Sequence, residues 1–383
     1  MDAPFIYDKY VTGKNFIGRK EDCLVLGNIL SQGKHVTIYE PPKSGKKSLI
    51  HQTLFNMKME GKHFTTSEFS LLNVRHTDTF LTNFGSAAIR AFASIPEEFS
   101  QIITQYLPDT HFVFDAKQYS EHDQIVSINW DVDHHDIEVM LSLPQRLARD
   151  KGQQLILVID EFQNIDFTED AFHLLKIFDK VIEQMMKEPL PGCTFIFTGS
   201  MVNAMKNIFH QRRLFYRQVE HVGLAEVNDK EIIEYIVRGF LTSGKVIERE
   251  LLIGMCALFK NNLCYINHFI SICDSLSKGY IMEPILIEAL QHMLSIHEPR
   301  FKATVNGLTT HQLNLLKAVL DGVTKFSASN IIQDYNLNSS ANVKRVKDAL
   351  MKKEIITFDE KDIPSFLDPL FEYWIRKHFF NMK

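Results

Sequence analysis

The stretch Leu155-Ile156-Leu157-Val158-Ile159 is unbroken apolar sequence that ends in Asp160-Glu161. A strand with one wet face alternates apolar and polar residues. A continuous run requires both faces to be covered, as in the middle of a parallel sheet. Such a strand needs partners and flanking helices, and the chain supplies both. His35–Tyr39 and residues 63–71 read as strands, residues 194–197 as another that ends in Thr198-Gly199-Ser200, and helical patterns fit residues 79–93 and 171–186. Strands alternating with helices predict an α/β fold, a parallel sheet flanked by helices. The 383 residues leave room for two or three domains at roughly 100–200 residues each, and 29 phenylalanines imply sizeable cores.

Beyond residue 228 the strand runs stop. Residues 230–241 and 250–259 read as helices, and Glu298-Pro299 reads as a boundary. Residues 304–383 have a different rhythm. A Thr-capped helix fits 309–320, serine-started helices fit 327–335 and 339–353, and residues 355–358 and 363–367 form a hairpin about the acidic turn 359–362. Three helices and a hairpin predict a winged helix, a variant of helix-turn-helix.

The apolar runs are too short to span a bilayer. The opening MDAPFIYDKY has acidic residues where a signal peptide needs basic ones, which predicts no export signal. The five cysteines are scattered with no CxxC pair, as expected of reduced thiols in a cytoplasm. A net charge of −5 argues against coating nucleic acid with the whole surface. The charge is uneven. Residues 107–140 hold eight acids against the single base Lys117, an acidic insertion that offers a partner surface.

A phosphate-binding loop needs glycines that let backbone N–H groups turn onto phosphates, a lysine for the β and γ groups, and a Ser/Thr hydroxyl for Mg²⁺. Between the first strand and its helix the chain reads Glu40-Pro41-Pro42-Lys43-Ser44-Gly45-Lys46-Lys47-Ser48. Gly45-Lys46 is in place, with a helix predicted from Ser48 onward. Glu40 stands at the first glycine and Lys47 at the metal-ligand position, with Ser48 one residue late. A lysine-rich turn of no function is the alternative. Context favours the loop, because an apolar strand ending in an acidic pair and a polar strand end, Thr198-Gly199-Ser200, follow in the expected order.

Phe16-Ile17-Gly18-Arg19-Lys20-Glu21, the loop, VIDEFQNI at 158–165 and FTGS at 197–200 together resemble the AAA+/STAND-type P-loop ATPases. The archaeal-type ATP-binding group, also found in gut bacteria, is the nearest resemblance, and LDPLFEYW at 367–374 belongs to it. It covers the chain from about residue 14. It implies ATP or ADP as ligand, with the Phe16–Arg19 box, Gly18 and Arg19 included, near adenine, Lys46 on phosphates, Asp160 supporting Mg²⁺, Glu161 polarising water and Ser200 sensing the γ-phosphate. Arg217 stands where relatives carry an arginine, though Gln218 follows it and no glycine precedes it. The resemblance implies an ATP-binding domain over 1–225, a helical lid over 226–303 and a winged helix over 304–383.

The departures predict nucleotide binding with slow or absent hydrolysis. Lys47 cannot ligate Mg²⁺, and Glu40 brings negative charge unless Lys43 or Lys47 pairs with it. Lys344, Arg345 and Lys347 on the third winged-helix helix are candidates for DNA phosphates, or else a solvated face. A winged-helix DNA- or protein-binding regulator on an inactive P-loop scaffold is the second functional reading. Asp131, Asp133, His134, His135 and Asp136 suggest a solvated acidic helix start rather than a metal site. Met185, Met186 and the tail aromatics Phe371, Tyr373, Trp374, Phe379 and Phe380 are expected in cores.

Overall fold

The computed structural model describes residues 5–382. They form two compact units. The first comprises Lys20–Glu40 and Leu49–Leu224 and holds the sheet. In chain order its elements are α1 (Lys20–Ser31), β1 (His35–Tyr39), α2 (Lys46–Met59), β2 (Phe64–Ser70), α3 (Thr77–Arg90), α4 (Pro96–Tyr106), β3 (Phe112–Val113), α5 (Ala116–His122), β4 (Ser127–Ile128), α6 (His134–Asp150), β5 (Gln154–Asp160), α7 (Ala171–Met185), β6 (Cys193–Gly199), α8 (Val202–Lys206) and β7 (Val219–His221). The first three residues of α2 belong to the other unit.

The sheet order is β2-β5-β6-β1-β7, all parallel. The continuous apolar run is therefore interior, as its lack of alternation predicts: β5 lies between β2 and β6 and is buried from Leu155 to Asp160. The edge strand β2 is only partly buried. Phe80, Phe84, Phe162, Phe178, Phe195 and Phe197 are fully buried around this sheet. Register brings the C-terminal ends of three strands side by side, with Tyr39 opposite Gly199 and Ile159 opposite Phe197. The N–H of Glu40 continues the ladder to the Gly199 carbonyl at 3.3 Å.

The acidic insertion folds as the β3–β4 pair and α5, followed by α6. Asp133 and Asp136 form a capping box at the start of α6. Asp131, Asp133, His134 and His135 are exposed, as a solvated helix start implies, but Asp136 departs from that expectation: it is 1% exposed and also accepts the His111 N–H at 2.9 Å and the His111 ring at 2.8 Å. Burial opposes its ionisation, but the Asp133 and His111 donors outweigh burial and hold the carboxyl below its ordinary value. Its partner His111 is pushed up, first by that bond.

The second unit comprises the described residues up to Arg19, Pro41–Ser48 and the chain from Ala225 onward. Helices α9 (Asp229–Thr242), α10 (Arg249–Phe259), α11 (Leu263–Leu276) and α12 (Glu283–Asn306) are joined by a small parallel pair, β8 (Val246–Ile247) and β9 (Tyr280–Ile281), that the helical reading of this region omits. Then come α13 (Thr310–Leu320), α14 (Ser329–Asp334), α15 (Ser340–Lys352), β10 (Ile356–Phe358), β11 (Pro364–Phe366) and α16 (Pro369–Trp374). β10 and β11 are antiparallel, which completes the predicted winged helix. Thr309 and Gln312 form a capping box on α13, and Ser339 caps α15. Val343, Val346 and Leu350, three and four residues apart, turn one face of α15 into the core.

Two expectations are refined here. Helix α12 runs straight through Glu298-Pro299. Met293, Leu294, Phe301 and Val305 are buried on either side of the proline, so packing of the apolar face outweighs the lost N–H. Among the side chains assigned to cores, Met186 is 49% and Phe379 39% exposed, whereas Met185, Phe371 and Trp374 are buried. No disulfide joins any of the five cysteines, and Cys193 is buried as expected. Among the described residues no helix is long and apolar enough to cross a membrane.

Candidate nucleotide-binding site

Two sets of candidate residues are assembled, one in each unit. In the second unit the loop between β1 and α2 is held by Arg19. Its Nη1 donates to the Ser44 carbonyl at 2.8 Å and its Nε to the Ala225 carbonyl at 3.0 Å. Gly18 precedes it with φ +63°, and a Cβ there would stand 2.7 Å from Val227 Cγ1, so the position requires glycine. In the loop itself Lys43 and Gly45 both have positive φ, +66° and +98°. Successive reversals of this kind turn backbone N–H groups toward a common side.

Helix α2 begins at Lys46, two residues before the predicted Ser48. Lys46 is buried, and its ammonium donates to the Pro41 carbonyl at 3.0 Å, across the loop. Ser44 N–H donates to the same carbonyl at 3.4 Å. The Ser44 hydroxyl is buried with no hydrogen-bond partner. Pro42, Lys43 and Lys47 are exposed. Ser48, the late candidate for metal, accepts the Val11 N–H on its Oγ at 3.0 Å. Glu40 ends the β1 side of the first unit and accepts the Leu224 N–H at 3.4 Å.

The other set lies at the ends of β5 and β6. Thr198 Oγ1 donates to Asp160 Oδ1 at 2.5 Å, and Asp160 is buried. Glu161 has φ +55° and leads into a short 3-10 turn. Its Oε2 accepts from Ser200 Oγ at 2.6 Å, from Ser200 N–H at 3.3 Å and from Gln163 Nε2 at 2.6 Å. Thus Glu161, Ser200 and Gln163 are bonded to one another at the ends of β5 and β6, and Asp160 is held next to them by Thr198. Gln163 was legible only as part of the DEFQ string. Its own Oε1 is buried and unpartnered.

Arg217 is exposed with φ +60°, and its guanidinium lies 5.1 Å from the ring of its neighbour Tyr216. The arginine that is fixed in this stretch is Arg212, in a two-pronged pair with Asp166 at 2.6 and 2.7 Å. On the winged helix Lys344 and Arg345 are exposed. Lys347 instead binds Asp362 across the hairpin turn at 2.7 and 2.9 Å and sits 4.0 Å from the Phe358 ring centroid.

Residues 299–377 match the family model described as a probable winged helix domain. No curated protein sequence matches the chain. Among solved structures, a Walker-type ATPase of Pyrococcus abyssi superposes with a TM-score of 0.67 at 14% identity, over 97% of this chain and 99% of that one. The chain has the α/β fold of a Walker-type P-loop ATPase, with a C-terminal winged helix. The Aeropyrum pernix ORC2 protein, solved as ADPNP–ADP complexes, superposes with a TM-score of 0.57 at 14% identity, over 94% of this chain and 93% of that one. Its ADP form gives a TM-score of 0.54 at 13% identity, over 96% of each chain. Identity at this level speaks for the fold alone.

Proposed function

We propose that the chain is an ATP- or ADP-binding switch that hydrolyses ATP slowly or not at all. The observation that supports this most directly is the Lys46 ammonium turned onto the Pro41 carbonyl, across a loop of positive-φ residues at the start of a helix. Backbone N–H groups, an ammonium and a helix N-terminus suit a polyphosphate. In this reading Pro41–Ser48 carry the phosphates, and Gly18 and Arg19 shape the base side. Asp160, Glu161 and Ser200 face the terminal phosphate, and Arg217 serves a neighbouring subunit if the chain assembles.

The residues fit Mg²⁺ poorly. Lys47 offers no lone pair at the ligand position, the Ser48 hydroxyl already accepts from Val11, and Asp160 already accepts from Thr198. Glu161 holds three donors, so polarising a water costs it bonds already made. Both features favour binding over turnover. We assign 1–225 to nucleotide binding, 226–303 to a lid and 304–383 to output, in a STAND-like switch in the cytoplasm.

A second reading rests on the exposure of Lys344 and Arg345 on α15: a winged-helix regulator that contacts DNA, or a protein partner that could also use the 107–140 insertion. Equilibrium binding of ATP and ADP with and without Mg²⁺, beside a phosphate-release assay, tests the first reading. We expect binding that Lys46→Ala weakens at least roughly tenfold. Absence of binding, or turnover of about 1 per second or faster, sinks it.

A further inference from the structure

Within the second unit the loop touches a polar cluster that ends at the last helix. Lys43 Nζ lies 5.8 Å from the ring centroid of Tyr265 on α11. The Tyr265 hydroxyl donates to the Asp368 carboxylate, 3.0 Å from each oxygen. Arg300 on α12 donates through Nη2 to Asp368 at 2.8 Å and to the Tyr265 oxygen at 3.3 Å. Asp368 is the N-cap of α16 and accepts the Leu370 and Phe371 N–H groups at 3.0 and 3.1 Å. The His297 ring meets Tyr265 edge-on at 5.8 Å, with its Nε2 buried and unpartnered. Burial and the Asp368 charge push the Tyr265 phenol up, so it stays a donor.

We propose that Tyr265 reads the occupancy of the loop and passes it, through Asp368, to the cap of the C-terminal helix. The inference rests on the nucleotide reading above. In one state the Lys43 ammonium sits on the Tyr265 ring. In the other a polyphosphate on the loop takes that ammonium, and Tyr265 is released. A contact made only in the free state opposes binding by what it is worth, and the coupling is reciprocal. Removing the ring therefore tightens nucleotide binding, the opposite of what a residue touching the nucleotide would do. An exposed cation–π contact corresponds to roughly a two- to fivefold change in affinity.

The test uses the full chain and a non-hydrolysable ATP analogue, with binding by calorimetry and amide exchange at Leu370 and Phe371. Tyr265→Leu should lower Kd roughly two- to fivefold. Tyr265→Phe keeps the ring and loses only the hydroxyl, so its Kd should fall less than that of Tyr265→Leu. In the wild type the analogue should speed exchange at the two capped amides, and in Tyr265→Phe exchange should be the same with and without it. A wild type that binds no analogue overturns the nucleotide reading and the relay together. A wild type that binds, with Tyr265→Leu binding equally or more weakly, overturns the relay alone. So does exchange in the wild type that ignores the ligand. If Tyr265→Leu does not fold, the near-isosteric Tyr265→Phe decides by its exchange response.

Discussion

The Glu161 carboxylate is fastened to Ser200 twice, by the hydroxyl at 2.6 Å and by the backbone N–H at 3.3 Å. The end of one central strand is thus tied to the end of the next by the side chain expected to polarise water. For Glu161→Gln we expect nucleotide affinity within about threefold of wild type, because no phosphate contact is lost. Residual phosphate release should fall by roughly a hundredfold or to background. Single-turnover release with radiolabelled ATP checks this, and unchanged release would remove Glu161 from the chemistry.

Lys47 stands where a P-loop protein places a hydroxyl. For the wild type, Mg²⁺ should change ATP affinity little. Lys47→Thr restores an oxygen ligand and removes a charge, so Mg²⁺ should then tighten ATP roughly tenfold. Calorimetric titration with Mg²⁺ and with a chelator measures both. An equal Mg²⁺ response in the two proteins would count against this register of the loop.

Gly45 has φ +98°, and a Cβ there would stand 2.8 Å from Arg19 Nη1. Gly45→Ala should strain the backbone by about 1–3 kcal/mol and push Arg19 off the Ser44 carbonyl. Lower nucleotide affinity with a modest fall in Tm is the expected pair of results. An alanine variant that binds as well as wild type would mean the loop reaches its bound form by another backbone path.

His35 accepts the Phe195 N–H at 3.0 Å inside the sheet. Burial holds its imidazole at about 4, below the ordinary 6.5. The folded value is depressed, so the fold requires the neutral ring. Its contribution is complete above the unfolded value near 6.5 and is lost as pH falls toward 4. The loss is on the order of 3 kcal/mol. Urea midpoints should fall over that window, and His35→Asn, which keeps an acceptor but does not titrate, should flatten part of the slope.

On the winged helix, Lys344→Glu with Arg345→Glu should abolish low-salt retention on duplex DNA if α15 meets phosphates. Lys347→Ala should leave retention unchanged and cost about 0.5–1 kcal/mol of stability, because Lys347 is occupied by Asp362 and Phe358. Column retention across a salt series, beside melting curves, separates the two effects.

The sheet was legible because β5 carries its environment in its own composition: five apolar residues in a row permit no wet face. The contact between Glu161 and Ser200 follows from parallel order, since each directly follows one of two neighbouring central strands. What escaped the sequence was long in range or overruled locally. Arg300 and Asp368 pair across 68 positions, a distance that no local pattern spans. Pro299 reads as a stop until the buried residues on both sides of it are known. Asp136 reads as a wet acid because the partner that holds it in its buried place, His111, lies 25 residues back.

The uninterrupted α12 sets a mechanical condition on any switching. Its 24 residues make a rod about 36 Å long, packed against α11 and against α16. A module on a floppy tether would sample all orientations and lose any message from the loop, whereas a stiff rod converts a small tilt at one end into a displacement at the other. The single weak point along it is Pro299, where one ladder bond cannot form. A bend in the rod, if one occurs, has a place to begin.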